Sequence, residues 1–352
     1  MKVGFDAKRY FNNITGLGNY SRWLIDNLNK KIPQSIFLFH TDRPNIDSEN
    51  LTVFTPKYNL LKSLWRSWSV TKKLKKERID IYHGLSNEIP FGIHKTEIKS
   101  IVTIHDLINK RYPENYPLID RWVYNLKLSY AQKHADVIIT VSEQTKKDII
   151  HYYNTDETKI KVIPIGMSRR KTKSEQSYAP YILCVSSFTK RKNLKALVHA
   201  FKSIESKNIN LKIAGSQGDT SQDIIKLAKD DPRIELHFNI SDGQLDNLYT
   251  KCQFCIYPSL FEGFGIPILE AFSYGKTIAT SNVSSMPEVG KDAAMYFNPK
   301  DSNSIRKSIL HLMDDDVRNN YENKIPNTLK SFDSEVLIST YKSVYSELMT
   351  TI

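Results

Sequence analysis

An α/β protein built on parallel sheets is what this sequence predicts, and three observations predict it. Short β-branched runs alternate with longer helical patterns along nearly the whole chain, a polar break falls near the middle, and the length suits two domains. At about 100–200 residues per domain, 352 residues divide into two units, each long enough to bury a core. Hydrophobic residues at 40%, aromatics at 11% and charged residues at 25% match ordinary globular usage, which excludes a disordered or fibrous chain. No run approaches the roughly 18 apolar residues a membrane span requires.

In the first half, strands are expected at Val3–Phe5, Ile36–Phe39, Ile79–Tyr82, Ile101–Ile104, Val137–Val141 and Lys161–Pro164. From Gly166 to Ala179 the chain is basic and Ser-rich with no apolar period, as an interdomain linker would be. The pattern restarts with strands at Tyr181–Val185, Leu211–Ala214, Ile234–Phe238, Phe254–Tyr257 and Thr277–Thr280. Two consecutive Rossmann-like domains follow, at 1–168 and 180–332, joined by 169–179. In the last segment, 333–352, Ile338, Tyr341, Val344, Tyr345 and Leu348 share one helical face, so this helix is expected to dock on the N-terminal domain.

Residues 1–168 carry 26 Lys and Arg against 17 Asp and Glu, three quarters of the net charge of +12. The densest basic stretch, 60–78, sets Leu60, Leu64 and Trp68 at helical spacing beside Leu61 and Trp65, among seven cations. Such a helix suits shallow docking on an anionic membrane, and it equally suits an ordinary core face. No nucleic-acid-binding motif accompanies the charge, so no nucleic acid is expected as a partner. Cys252 and Cys255 form an isolated C-x-x-C without a second ligand pair, and no metal site is expected. The start, Met1–Phe5, lacks the features of an export signal, so a cytoplasmic location is expected, with peripheral attachment to the cytoplasmic membrane face through 60–78 left open.

The strongest chemical signal is the run from Pro258 to Ala271, PSLFEGFGIPILEA, directly after a strand. A strand opens into a glycine loop, and Pro267 fits a helix's first turn, where its missing N–H costs nothing. Ligands of parallel sheets bind at the carboxyl ends of strands, and helix N-termini favour anions. Glu262 and Glu270 flank this helix start, the second expected in its first turn. Two carboxylates beside an anion site make sense as acceptors from sugar hydroxyls. A second cationic turn, Lys190-Arg191-Lys192-Asn193, also follows a strand and opens a helix, which again suits an anion.

The Glu262–Glu270 spacing resembles the E-x7-E signature of the family-4 retaining glycosyltransferases, which have the GT-B fold. The resemblance runs through Thr15-Gly16-Leu17-Gly18-Asn19-Tyr20, His83–Glu88, Thr103–Asp106, Val141-Ser142-Glu143, Phe188–Asn193, Ala214-Gly215, Ser281-Asn282 and Pro287–Ala294. It implies two Rossmann-like domains facing across a cleft, with the C-terminal helix packing back toward the N-terminal domain. It further implies that Arg191 and Lys192 grip the diphosphate of a nucleoside diphosphate sugar, that Glu270 holds the ribose, and that Glu262 with Gly263, Phe264, Gly265 and Ile266 holds the donor sugar. Gly16 and Gly18 would let the backbone approach the diphosphate, and His105 would face the donor sugar with Asp106 orienting it. His83, Asn87 and Glu88 would shape the acceptor side. Many members carry Gly-Arg after the strand where Ser186-Ser187 stand here, which shifts phosphate binding onto Arg191.

The implied reaction moves a hexose to an acceptor hydroxyl with retention, without a cofactor or metal. The motif set is closest in kind to the mannosyltransferase-like branch, so GDP-mannose is the expected donor and a glycan or lipid-linked oligosaccharide the acceptor. A UDP-glucose or UDP-N-acetylhexosamine transferase is the alternative, as is a non-catalytic sugar-nucleotide-binding protein. A homodimer is compatible with either. A nicotinamide dehydrogenase is disfavoured, because Gly16-Leu17-Gly18-Asn19-Tyr20-Ser21 lacks the third glycine of G-x-G-x-x-G.

Overall fold

The computed structural model describes residues 1–11, 13, 16–40, 51–56, 64–166, 179–206 and 208–350. The chain divides into two compact units, Met1–Ser168 with Phe332–Ile352, and Arg169–Ser331. Residues 167–178, which hold most of the expected linker, lie outside the described residues.

The first unit is a seven-stranded sheet of β1 (Val3–Asp6), β2 (Ile36–Phe39), β3 (Thr52–Phe54), β4 (Ile81–Gly84), β5 (Lys99–Ile104), β6 (Val137–Thr140) and β7 (Ile160–Val162), in the order 3-2-1-4-5-6-7. Every pairing is parallel, with Val3 opposite both Ile36 and Ile81. Helical crossovers cover both faces of such a sheet, which is why β1 and β4 are buried along their whole length. Ile79, Val102, Ile104, Leu128 and Ile138 belong to one apolar core.

The C-terminal helix, Ser334–Thr350, belongs to this unit. Its Tyr341 and Tyr345 are fully buried, and Tyr341 Oη lies 2.8 Å from Tyr20 Oη. Trp23 Nε1 donates to Ser334 Oγ at 2.8 Å. The helical face read from the sequence is the one that packs.

The second unit is a six-stranded parallel sheet of β8 (Tyr181–Val185), β9 (Asn210–Gly215), β10 (Ile234–Phe238), β11 (Phe254–Tyr257), β12 (Ile278–Ser281) and β13 (Ala294–Phe297), ordered 10-9-8-11-12-13. Its core gathers Leu197, Phe201, Ile213, Phe254, Ile256 and Ile309. The strand order reverses between β8 and β11, and a crevice opens at the carboxyl ends of strands at such a switch point.

Two strands were not expected, β3 and β13. β3, Thr-Val-Phe, has only three residues, too short a run to stand out from its surroundings. β13, Ala-Met-Tyr-Phe, lacks the β-branched residues by which strands are usually read. The expected basic helix is also different. Residues 57–63 lie outside the described residues; then comes a π-helical turn, Trp65–Ser69, continued by the helix Val70–Lys76. Val70 and Leu74 are core residues with Trp65 packed against them, while Leu64 and Trp68 face solvent. Among the described residues, no helix is long and apolar enough to cross a membrane.

Candidate active site

The second unit brings the two strongest sequence signals together at its switch point. After β8 the chain makes a tight turn, Lys190–Lys192, and Asn193 takes a left-handed φ of 57° before the helix Leu194–Lys202. Asn193 Nδ2 donates to the carbonyls of Pro258 at 3.2 Å and Pro299 at 2.8 Å, and the Leu260 amide donates to the Arg191 carbonyl at 2.9 Å. The cationic turn is thereby tied to the loop that follows β11.

Glu262 is the hub of this loop. Its Oε1 accepts from Arg191 Nη1 at 2.5 Å, Lys192 Nζ at 2.8 Å and Ser259 Oγ at 2.5 Å. Arg191 also donates to the Phe261 carbonyl, and Lys192 to Tyr257 Oη at 2.6 Å. Glu262 is only 9% exposed. Burial pushes its carboxyl up, yet Lys192 and Arg191 outweigh burial and hold it at about 2. Burial pulls the Lys192 ammonium below its ordinary value although Glu262 pushes it back up. The cluster thus sets two cations on one carboxylate oxygen at a strand end.

Hydroxyls fix the rest of the loop. Ser284 Oγ donates to the Glu262 carbonyl at 2.6 Å, and Ser285 Oγ to those of Glu262 at 3.0 Å and Phe264 at 2.7 Å. Gly263, Phe264 and Gly265 are buried, and Ile266 is half-buried. Gly265 has a φ of 111°, a conformation L side chains rarely adopt, and it caps the helix Ile266–Ser273 with Pro267 in the first turn. Glu270 is the fifth residue of that helix, so it opens the second turn rather than lying in the first as expected. Its Oε2 accepts from Tyr249 Oη at 3.0 Å. Sequence reasoning missed Tyr257, Ser259, Ser284, Ser285 and Tyr249. Ser259 was legible, since it lies inside the motif three residues before Glu262, but Tyr249 and the Ser284-Ser285 pair carry no local signal of where they point.

Of the first-unit residues, His83 is placed differently from expectation. His83 does not face an acceptor: it is fully buried, with Nδ1 2.8 Å from Tyr345 Oη and Nε2 2.8 Å from Thr103 Oγ1. Burial drives its pKa down to about 3, so it is a neutral core residue. His105 is 6% exposed, its Nε2 2.9 Å from the Leu85 carbonyl and its ring edge-on to Tyr20. A carbonyl can only accept, so Nε2 carries the proton, and burial lowers the pKa to about 4. The Leu85 carbonyl thus orients the His105 ring, and Asp106 Oδ1 accepts from the Ile108 amide at 3.1 Å.

Asn87, at a φ of 60°, accepts the His105 amide on Oδ1 at 3.0 Å. Glu88 is engaged inside the unit, with Arg66 and, at 2.7 Å, with Lys127, while Arg66 also reaches Asp6 at 3.3 Å. Burial raises the Glu88 carboxyl, and Arg66 and Lys127 bring it below its ordinary value. Gly16 and Gly18 open the helix Gly16–Lys31. A Cβ on Gly18 would lie 1.8 Å from the Asn13 carbonyl oxygen, so its close backbone approach is to Asn13. Among the described residues, no group of three or more His, Cys, Asp or Glu could hold a metal ion.

Two parallel-sheet units, one with cations, a carboxylate and a capped helix converging at its switch point, define a two-unit α/β protein of Rossmann-like architecture. Residues 14–171 match the model described as Glycosyltransferase Family 4 and residues 168–330 the model Glycosyl transferases group 1, and the chain belongs to this family of GT-B glycosyltransferases. It is 27% identical to O-antigen chain mannosyltransferase B of Escherichia coli over 90% of this chain and 91% of that protein. It is 29% identical to O-antigen chain mannosyltransferase RfbU of Salmonella typhimurium over 60% of each chain. The fold is similar to that of a sucrose-phosphate synthase from Thermosynechococcus elongatus, at a TM-score of 0.80 and 16% identity over the whole of both chains.

Proposed function

We propose that this glycosyltransferase moves mannose from GDP-mannose to a hydroxyl of a glycan or lipid-linked oligosaccharide, with retention at the anomeric carbon. The observation that carries the reading is the convergence of Arg191, Lys192 and Glu262 at the β8/β11 switch point. The mannosyltransferases to which the chain is similar support the choice of sugar.

In this reading the bond between the anomeric carbon and the β-phosphate oxygen breaks as the acceptor oxygen bonds to that carbon. The transition state has oxocarbenium character, and negative charge grows on the departing diphosphate. Arg191 and Lys192 neutralise that charge without reorganising, because Glu262, Tyr257 and the Phe261 carbonyl already fix them. They supply the charge that a divalent cation would otherwise bring, which supports a metal-independent reaction. The acceptor proton passes to the leaving phosphate. Glu262 presents its second carboxylate oxygen to the sugar hydroxyls, and Glu270 accepts from the ribose.

Calorimetric titration with GDP, UDP, GDP-mannose, UDP-glucose and UDP-N-acetylglucosamine, with and without EDTA, tests this. Selective binding of GDP and GDP-mannose, unchanged by EDTA, is expected. Selective binding of the uridine ligands would replace the donor, and silence across the panel in folded protein would overturn the reading.

A further inference from the structure

The helix Leu118–His134 of the first unit is inside out over its first half. Leu118, Ile119, Trp122 and Leu126 are 76%, 77%, 66% and 46% exposed, and Val123 is 37% exposed. At about 100° per residue these five fall within an arc of about 140°. Leu128 and Ala131, the residues this helix buries, lie on the opposite side. Core packing therefore does not explain the apolar face, and a contiguous exposed patch of this kind marks an interaction surface.

The patch extends beyond one helix. Trp68, 53% exposed, packs on the Phe91 ring at 5.3 Å, and Phe91 packs on Tyr130 of the same helix at 4.5 Å. The three segments joined by these rings, 64–76, 91–95 and 118–134, contain nine Lys and Arg and a single acid, Asp120. Lys72, Lys75, Lys76, Lys95 and Lys133 are exposed.

We propose that this face docks on an anionic lipid bilayer, with Leu118, Ile119, Trp122 and Leu126 entering the headgroup boundary and Trp68 beside them. Tryptophan and leucine flanked by cations is the composition of a helix that lies in a membrane interface. Each cation near such a surface adds electrostatic attraction. A second copy of the chain is the poorer occupant, because a two-fold contact sets each patch against itself and so the exposed Lys72, Lys75, Lys76, Lys95 and Lys133 against the same five lysines. The contact is thus centred on 118–126, not on 60–78, where Val70 and Leu74 serve the core. The proposal does not rest on the transfer reaction.

The test uses the full-length protein with vesicles of phosphatidylcholine alone or mixed with phosphatidylglycerol. Wild type is expected to sediment with the mixed vesicles, less as salt rises, and to show tryptophan quenching by brominated lipid. The double variant Ile119→Ser with Trp122→Ser should keep less than about a tenth of that binding, with an unchanged melting temperature and unchanged nucleotide affinity in solution. Wild type left in the supernatant, or a double variant that binds equally, would overturn the proposal. So would a wild-type dimer, lost in the double variant, in protein that ignores both kinds of vesicle.

Discussion

At Glu262 a single carboxylate oxygen meets a guanidinium, an ammonium and a hydroxyl, in a place where water is nearly excluded. Removing one partner of such a set leaves buried charge uncompensated, which typically costs about 3–5 kcal/mol. Glu262→Gln should therefore destabilise the protein by about 3 kcal/mol in chemical denaturation. It should also weaken GDP-mannose more than GDP, since the cations proposed to hold the diphosphate remain; equal losses would remove Glu262 from the sugar side. Lys192→Ala should weaken GDP and GDP-mannose alike by about 1.5–3 kcal/mol, the range for a hydrogen bond to a charged group, and an unchanged affinity would take Lys192 out of the site. Acid acts on the same residue. Because the Glu262 pKa falls from an ordinary 4.5 to about 2 on folding, its contribution is complete above pH 4.5 and is lost as pH falls toward 2.

At the scale of the element, the C-terminal helix works as a plug for the first sheet, and His83 is where the two meet. Tyr345 Oη faces Nδ1 of His83, and Tyr341 lies against the same ring. Burial lowers His83 to about 3 and His105 to about 4, from an ordinary 6.5. Between those values the unfolded chain binds more protons than the native one, so stability is full above pH 6.5 and falls with acidification. Between pH 6.5 and 5 each histidine should remove about 2 kcal/mol. His83→Gln should be less stable at pH 7 than wild type, yet lose about 2 kcal/mol less on going to pH 5. Urea melts at the two pH values decide this, and parallel losses in both proteins would show that His83 is not the titrating group. Tyr341→Ala should cost about 3–5 kcal/mol through the cavity it leaves.

His83 also shows what a sequence can and cannot disclose. It sits in a stretch that resembles a family motif, at the end of β4, where site residues gather. Its fate is decided by Tyr345, 262 residues further along the chain. Local reading has no access to a partner so distant. Strand positions were legible because β-branched runs buried on both faces carry their own signature. β3 escaped because it is only three residues long, and β13 because its packing residues are Ala, Met and Phe. In the second unit the cationic turn, the glycine loop and the helix after it were each legible, but their convergence on one carboxylate oxygen was not. That convergence comes from the reversal in strand order, which sets β8 beside β11.

For the whole molecule, each unit carries its own core, and the proposed nucleotide loop lies entirely within the second. A ligand that binds only the native state stabilises it by mass action, by about 2.7 kcal/mol at a hundredfold excess over Kd. GDP should therefore enter the energetics through Arg169–Ser331, whereas the buried histidines and the C-terminal helix enter through the first unit. Differential scanning calorimetry at pH 7 and pH 5, with and without saturating GDP, separates the two. The melting component that rises with GDP should be the one least altered by Tyr341→Ala. The component lowered by Tyr341→Ala should be the one most sensitive to acid. If GDP instead raises the acid-sensitive component and leaves the other alone, the nucleotide is held by first-unit residues, and Arg191, Lys192 and Glu262 are a structural ion cluster.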